Sequence, residues 1–247
     1  MAGFGTRFGR TDTIKPFINV LDKPMIAWAV ESFPQLKSHN FVFIILQEHE
    51  TKYQIKTKLK QLFGSKITVI IIPRSTRGAA ETALAAKSYL DPDEDIIIAD
   101  SDQYFDSTNL YQAILNKTFD TSGIIPVDRP IDTQIKHSYT LADSHNLAHK
   151  VAEKDPQLAS QGAYSNIGAY YFAKAKIFTQ AIEAMIKAGA VSGPPGRQEF
   201  FVAPVYQQLI NEGKKIYVAP SPNAWRLGTP EDLDYFLGHY RQRRPLG

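Results

Sequence analysis

Short, strongly apolar runs punctuate the first hundred residues. Phe41-Val42-Phe43-Ile44-Ile45-Leu46 has no polar interruption and reads as a strand buried on both faces. Residues 67–72 (Ile-Thr-Val-Ile-Ile-Ile) read as a second such strand, and Ile96-Ile97-Ile98-Ala99 as a third. Between the first two, residues 49–63 set Tyr53, Ile55, Leu59, Leu62 and Phe63 on a rough helical stripe, which Gly64 stops. Ala79 to Leu90 is Ala-rich and predicts a helix ahead of the turn Asp91-Pro92-Asp93. Strands alternating with helices predict an α/β fold, doubly wound, around a mixed and mainly parallel sheet.

The second half has a different rhythm. Residues 123–127 and 138–142 predict strands, and 147–153 returns after the turn Asp143-Ser144-His145-Asn146, so a hairpin is expected. A further strand is predicted at 167–172, with helices at 174–188, 199–212 and 230–241. Ser192-Gly193-Pro194-Pro195-Gly196 is a loop, because two prolines and two glycines cannot extend a helix. No repeat and no linker divides the chain, so its 247 residues are expected to form a single domain.

Composition narrows the function classes. There is no Cys, which excludes a disulfide scaffold, a Cys-based zinc site and a cysteine nucleophile. Lys plus Arg (28) barely exceeds Asp plus Glu (25), so a dedicated nucleic-acid binder is not expected. No apolar run approaches membrane-spanning length, no secretion leader is visible, and the expected location is the cytoplasm. Arg241, Arg243 and Arg244 at the tail read as a solvated terminus. The six histidines are scattered without metal-ligand spacing.

Candidate chemistry begins at the N-terminus, which reads Met-Ala-Gly-Phe-Gly-Thr-Arg-Phe. Gly3 and Gly5 let main-chain N–H groups approach an anion, Thr6 adds a hydroxyl donor, and Arg7 adds a guanidinium fork suited to phosphate oxygens. The loop lacks the Gly-Lys-Ser/Thr of a P-loop and the third glycine of a dinucleotide fingerprint. Lys15-Pro16 and Lys23-Pro24 follow, separated by a short apolar stretch. Lys23 has a surface or packing reading that is equally good. Glycine loop, Arg, Lys-Pro and second Lys-Pro, in this order, resemble the opening of the sugar-phosphate nucleotidylyltransferases. Those enzymes join a nucleoside triphosphate to a sugar 1-phosphate or similar phosphate and release pyrophosphate. The resemblance implies that Gly3, Gly5 and Thr6 wrap the triphosphate while Arg7 and Lys15 hold its phosphates.

Later motifs extend the resemblance to about residue 237. In Arg77-Gly78-Ala79-Ala80-Glu81, small residues at a helix start admit a flat base or ribose, and the resemblance places the nucleobase against Gly78 and Ala79. An ordinary small-residue helix start reads the same segment equally well. Asp100-Ser101-Asp102 ends a strand, where open α/β sheets bind ligands. Two hard oxygen donors suit Mg²⁺ bridging phosphates; the resemblance assigns the ion to Asp102, with Asp100 as a second candidate. Helix capping is the other reading for Asp100 or Asp106. Glu153-Lys154 and Asn166-Ile167-Gly168 resemble the segments that meet the acceptor, implying Lys154 on its phosphate and Glu153, Asn166 and Gly168 around its sugar. Gly228-Thr229-Pro230-Glu231-Asp232 reads fully as a helix start: Thr229 caps, Pro230 takes the first position, Asp232 completes a capping box.

The closest form of the resemblance is the capsule- and polysaccharide-type branch, through Gly-Ala-Ala, Ser-Asp-Gln, Glu-Lys, residues 199–206 and Leu-Gly-Thr-Pro-Glu-Asp-Leu. It implies a nucleotide-diphospho-sugar transferase fold, with a nucleotide-binding part to about residue 105 and an acceptor-binding part beyond. Many members carry a second metal-binding Asp where this chain has Arg226, and a guanidinium cannot ligate Mg²⁺. The resemblance also implies a strand of about five residues before the glycine loop. Met1 stands inside that loop, so a truncated or mis-started chain is expected; an upstream reading frame without an apolar segment would remove the expectation. Two other functions fit the residues. A glycosyltransferase using a nucleotide-sugar would also want Asp100-Ser101-Asp102, though Arg7 and Lys15 suit a triphosphate better. A non-catalytic nucleotide-binding module would accommodate Arg226. A homo-oligomer is compatible with all three.

Overall fold

A computed structural model describes residues 8–9, 13–33, 39–129, 137–193, 195–196 and 198–243. The first elements in chain order are β1 (Asn19–Val20), β2 (Lys23–Pro24), α1 (Met25–Glu31), β3 (Val42–Leu46), α2 (Gln47–Tyr53), α3 (Ile55–Phe63) and β4 (Thr68–Ile72). Then come α4 (Ala79–Leu84), β5 (Ile96–Ala99), β6 (Gln103–Phe105), α5 (Thr108–Leu115), β7 (Thr121–Asp128), β8 (Ser138–Ala142), β9 (Ala148–Glu153) and α6 (Pro156–Ser160). The last are β10 (Tyr164–Asn166), β11 (Ala169–Phe172), α7 (Ala175–Lys187), α8 (Ala203–Asn211), β12 (Lys215–Pro220), β13 (Ala224–Arg226) and α9 (Pro230–Arg243). The chain divides into two compact units, one of residues 1–74, 100–106 and 223–247, the other of 75–99 and 107–222.

In the first unit β3 and β4 form a parallel pair, in register from Val42↔Thr68 to Leu46↔Ile72. The helix predicted over 49–63 is broken by Gln54, whose φ of 54° and ψ of 47° put it in the left-handed region. The break has a geometric cause. At about 100° per residue, one straight helix would put Ile55 and Leu59 roughly 120° around from His49 and Tyr53. Resetting the phase at Gln54 lets Ile55, Leu59 and His49 all be buried. A second cluster in this unit gathers Ile18, Val20, Met25, Trp28, Trp225, Leu227 and Phe236. Trp28 is its hub: its indole N–H donates to the Val20 carbonyl at 2.9 Å, and Tyr104, Phe236 and Tyr240 meet its ring edge-on.

The second unit is built on a seven-stranded sheet in the order β5-β11-β7-β10-β8-β9, with β12 along β7. β7 is buried over nearly its whole length, as a central strand requires. The mixed character of the sheet is as expected, but its mainly parallel character is not seen. In this sheet only β7 with β12 is parallel, and the other ladders are antiparallel. β8 and β9 are joined by a tight turn, which can connect only antiparallel strands, and β10 and β11 both run back along β7. The β8–β9 hairpin forms as predicted, its turn held by Asp143 Oδ1, which accepts the N–H groups of His145 and Leu147. Residues of α4, α7 and α8 pack with β7, β9, β11 and β12 in the main core.

Two predicted helices come out shorter. Over Ala79–Leu90 only α4 is α-helical, followed by a 3-10 turn at Lys87–Tyr89 whose residues are not buried. Alanine propensity does not hold a helix that has no face to bury. The helix expected at 199–212 starts at Ala203, because the backbone groups of Glu199 and Phe200 are used in tertiary hydrogen bonds.

Candidate active site

In the first unit, Lys15 heads a 3-10 turn, Lys15–Phe17, whose first residues include Pro16 and whose preceding Ile14 is buried. The turn is closed by Phe17 N–H to Ile14 O at 2.9 Å and Ile18 N–H to Lys15 O at 3.1 Å. Asp102 lies between β5 and β6, and its carbonyl accepts the Leu227 N–H at 2.8 Å. The Lys15 ammonium donates to Asp102 Oδ2, an ion pair joining positions 87 apart in sequence. Both side chains keep partial exposure, 18% and 27%. Gly228 closes one side: a Cβ there would lie 3.1 Å from Asp102 Oδ2 and 3.7 Å from Lys15 Nζ.

Asp100 is exposed, and Lys15 pairs with Asp102. Among the described residues no group of three or more His, Asp or Glu could hold a metal ion. One partly exposed carboxylate fits a magnesium ion held otherwise by phosphate oxygens and water, the usual manner for Mg²⁺. It does not fit an ion held by protein alone. Arg226 ends β13 directly across from Gln103 of β6, next to Asp102, so a cation stands where a second carboxylate was sought. Gln103 itself is buried, and among the described residues neither amide atom has a hydrogen-bond partner. Gly3, Gly5, Thr6 and Arg7 lie outside the described residues, as do the side chains of Arg241, Arg243 and Arg244. Lys23 has a packing role: its ammonium sits 3.8 Å over the Trp28 ring and pairs with Glu31.

In the second unit, Gly78 precedes α4 with a φ of 150°, a conformation open to glycine. A Cβ there would lie 2.6 Å from both N and O of Phe200. Phe200 N–H donates to Arg77 O, and Ala80 N–H donates to Phe200 O, both at 2.9 Å. The space beside Gly78 on that side is therefore filled by the chain itself, while Ala79 is exposed. Arg77 forms a bidentate pair with Glu81, its guanidinium 4.8 Å over the Phe200 ring.

Glu153 and Lys154 follow one another at the end of β9. Glu153 is 6% exposed and accepts from Ser138 Oγ. Burial raises its pKa above the usual carboxylate range; Ser138 and Lys154 pull it back, and the charge of Glu199 adds to the rise. Lys154 has a φ of 52°, rare for a non-glycine residue, and its N–H donates to His137 O at 2.9 Å. Asn166 is buried on β10, its Oδ1 accepting from Thr140 Oγ1 at 2.7 Å. Gly168, at φ 96°, stands between β10, which pairs with both β7 and β8, and β11, which pairs with β7 and β5. Sequence reasoning missed Phe200 and Phe201, since nothing in an apolar pair before Ala203-Pro204 distinguishes a strap from a helix. It also missed α6, although Asp155-Pro156 carries a cap-plus-first-turn signature, and Asp155 does accept the N–H of Gln157 and of Leu158.

Comparison with solved structures finds the same fold in several proteins. A nucleoside-diphosphate-sugar pyrophosphorylase from Vibrio cholerae matches with a TM-score of 0.74 at 21% identity, over 96% of this chain and 98% of its own. A putative glucose-1-phosphate thymidylyltransferase from Bacillus anthracis matches at 0.75 and 16% identity, over 100% and 94%. An inositol-1-phosphate CTP transferase from T. maritima matches at 0.73 and 13% identity, over 99% and 95%. No curated protein matches the sequence. The family model for nucleotidyl transferases matches residues 1–239, nearly the whole length, and the chain belongs to the nucleotidyl transferase family.

Proposed function

We propose that this nucleotidyltransferase transfers a nucleoside monophosphate from a nucleoside triphosphate to a sugar 1-phosphate or closely related phosphate, releasing pyrophosphate. The observation that carries this reading is the convergence of Lys15 and Asp102 beside Gly228, within a chain of this family. An ammonium supplies charge for a polyphosphate, and a half-exposed carboxylate is suited to the cation that accompanies it. The acceptor class follows the names of the structural relatives, a nucleoside-diphosphate-sugar pyrophosphorylase, a putative glucose-1-phosphate thymidylyltransferase and an inositol-1-phosphate CTP transferase. The order of motifs favours the capsule- and polysaccharide-type branch, acting in the cytoplasm.

The reaction asks little proton chemistry of the protein. The acceptor phosphate is ionised at neutral pH, so its oxygen attacks the α-phosphorus in line without a general base, and the pyrophosphate oxygen leaves. Magnesium, held at Asp102 with Asp100 as a second candidate, would neutralise phosphate charge. Lys15 and Arg7 do the same from the protein, with the amides of Gly3 and Gly5 and the hydroxyl of Thr6 around the triphosphate. Ala79, exposed at the start of α4, faces the base beside Gly78, whose bare side Phe200 occupies, and Lys154 holds the acceptor phosphate, with Glu153, Asn166 and Gly168 about its sugar. Rate enhancement then comes from positioning and charge stabilisation.

A matrix of UTP, CTP, dTTP, ATP and GTP against glucose, mannose and myo-inositol phosphates, read by pyrophosphate release, tests the reading. Release that depends on one acceptor supports it. Binding of a triphosphate with no release across the panel would leave a nucleotide-binding module instead.

A further inference from the structure

Lys154 is held in an unusual way. Its backbone sits in the left-handed region at φ 52°, locked by the N–H bond to His137 O. Left-handed backbone at a β-strand end costs a non-glycine residue free energy and persists only where the surroundings enforce it. Here it turns the lysine out of the alternation of β9 directly after Glu153. The side chain then meets two groups: Glu153 Oε1 at 3.6 Å, and the face of Phe201 at 4.9 Å from ammonium to ring centre.

The ring's own position is fixed through the main chain. Glu199 and Ser192 exchange two backbone hydrogen bonds, at 2.9 and 3.0 Å. Phe200 is clamped by its bonds to Arg77 and Ala80, and Val202 and Ala203 are buried on the far side. Phe201 is therefore suspended in a short strap, Glu199–Val202, anchored on both flanks. Its neighbour Phe200 grips the start of α4, and Phe201 itself presents its ring to Lys154.

The two partners of the ammonium act differently. A carboxylate lowers the net charge available to a phosphate and uses up a donor. An aromatic face attracts the ammonium through its quadrupole, adds no charge and leaves the N–H donors free. A lysine side chain has about 2 kcal/mol of rotamer entropy to lose on being fixed. A ring that restricts it beforehand lowers that loss when an anion arrives.

We infer that Phe201 is a positioning residue that holds the Lys154 ammonium, with the donors not turned to Glu153 left free, for the phosphate of the acceptor. This rests on the reading of Lys154 as the acceptor-phosphate ligand. It goes beyond that reading by making affinity for the phosphate depend on an uncharged ring that touches no substrate.

The test uses four full-length variants: F201L, F201Y, K154M and the double F201L/K154M. Initial rates are measured with whichever triphosphate and sugar phosphate turn over fastest in the matrix above. Binding of glucose 1-phosphate is measured in parallel by calorimetry. F201L is expected to raise the acceptor KM about tenfold, equivalent to about 1.4 kcal/mol, with the triphosphate KM unchanged. F201Y, which keeps the ring, is expected within about twofold of wild type. In the K154M background F201L is expected to add nothing further. The inference is overturned if F201L shifts both KM values alike, if F201Y fails to rescue, or if F201L acts equally with and without Lys154. If K154M raises the acceptor KM and F201L does not, the role of Lys154 stands and that of Phe201 falls. If K154M changes neither KM nor binding, or wild type neither turns over nor binds the phosphate, the Lys154 assignment fails and carries the inference with it.

Discussion

Replacing Gly78 by alanine drives a methyl group into the backbone of Phe200. Two costs add. The backbone at φ 150° and ψ 173° is open to glycine, and holding another residue there costs about 1–3 kcal/mol. The new Cβ would lie 2.6 Å from Phe200 N and O and 2.9 Å from its carbonyl carbon, none of which belongs to a movable side chain. Overpacking of this kind adds about 1–3 kcal/mol. The strap can escape only by giving up its hydrogen bonds to Arg77 and Ala80, worth about 1 kcal/mol each. A loss of about 3–5 kcal/mol is therefore expected, a large share of a typical 5–15 kcal/mol. Urea denaturation followed by far-ultraviolet circular dichroism measures it. Gly64→Ala is the matched control, since Gly64 also has positive φ (83°) but open space around it; its loss should stay at the backbone cost alone, about 1–3 kcal/mol. A Gly78→Ala protein within about 1 kcal/mol of wild type, or no worse than the control, would refute the claim that the strap seats on Gly78.

Four further outcomes follow from the site. Lys15→Ala should slow pyrophosphate release about a hundredfold, on the order of 3 kcal/mol; turnover at the wild-type rate would remove Lys15 from the site. Gly228→Ala should press on the Asp102 carboxylate and cut turnover about tenfold with an unchanged urea midpoint, so a loss of stability without loss of rate would contradict it. Chelation with EDTA should stop turnover and added Mg²⁺ restore it, while the melting temperature stays put; a fall in melting temperature would reveal a structural metal. Glu153→Gln tests the buried carboxyl. A raised folded-state pKa contributes stability that is complete below the ordinary glutamate range and is lost as pH rises through the folded value. The glutamine variant escapes that loss, so its stability relative to wild type should improve between about pH 4 and about pH 8, and a constant difference would disprove it.

Much of the fold was legible because it rests on local pattern. The strands β3, β4 and β5 appear within a residue or two of the apolar runs that predict them, although β5 is only half-buried and Ile71 of β4 is exposed, and the β8–β9 hairpin follows from turn chemistry at Asp143. Thr229 accepts the Asp232 N–H at 3.2 Å as a cap should, and Gly64 ends α3 with positive φ. What escaped was decided by partners distant in sequence. Residues 199–202 run without a break into the helical pattern of 203–212, but Ser192, Arg77 and Ala80 claim the backbone groups of Glu199 and Phe200. Gln54 carries no turn signature, and only the need to bury both His49 and Ile55 breaks the helix there. In the site, motif spacing led to Lys15 and Asp102, which meet. It could not foresee that the bare side of Gly78 is closed by Phe200, because glycine chemistry alone does not say which neighbour approaches.

The two halves of the Glu199–Val202 strap work by different chemistry, and that has an evolutionary corollary. Phe200 reaches Arg77 and Ala80 through peptide groups, which every amino acid but proline supplies in full, so those two bonds survive a change of its side chain even though the buried ring's packing would be lost. Phe201 acts through its ring alone, and a single codon change rewrites it. Selection for a new acceptor could thus retune one end of the strap while the other end keeps its grip on α4.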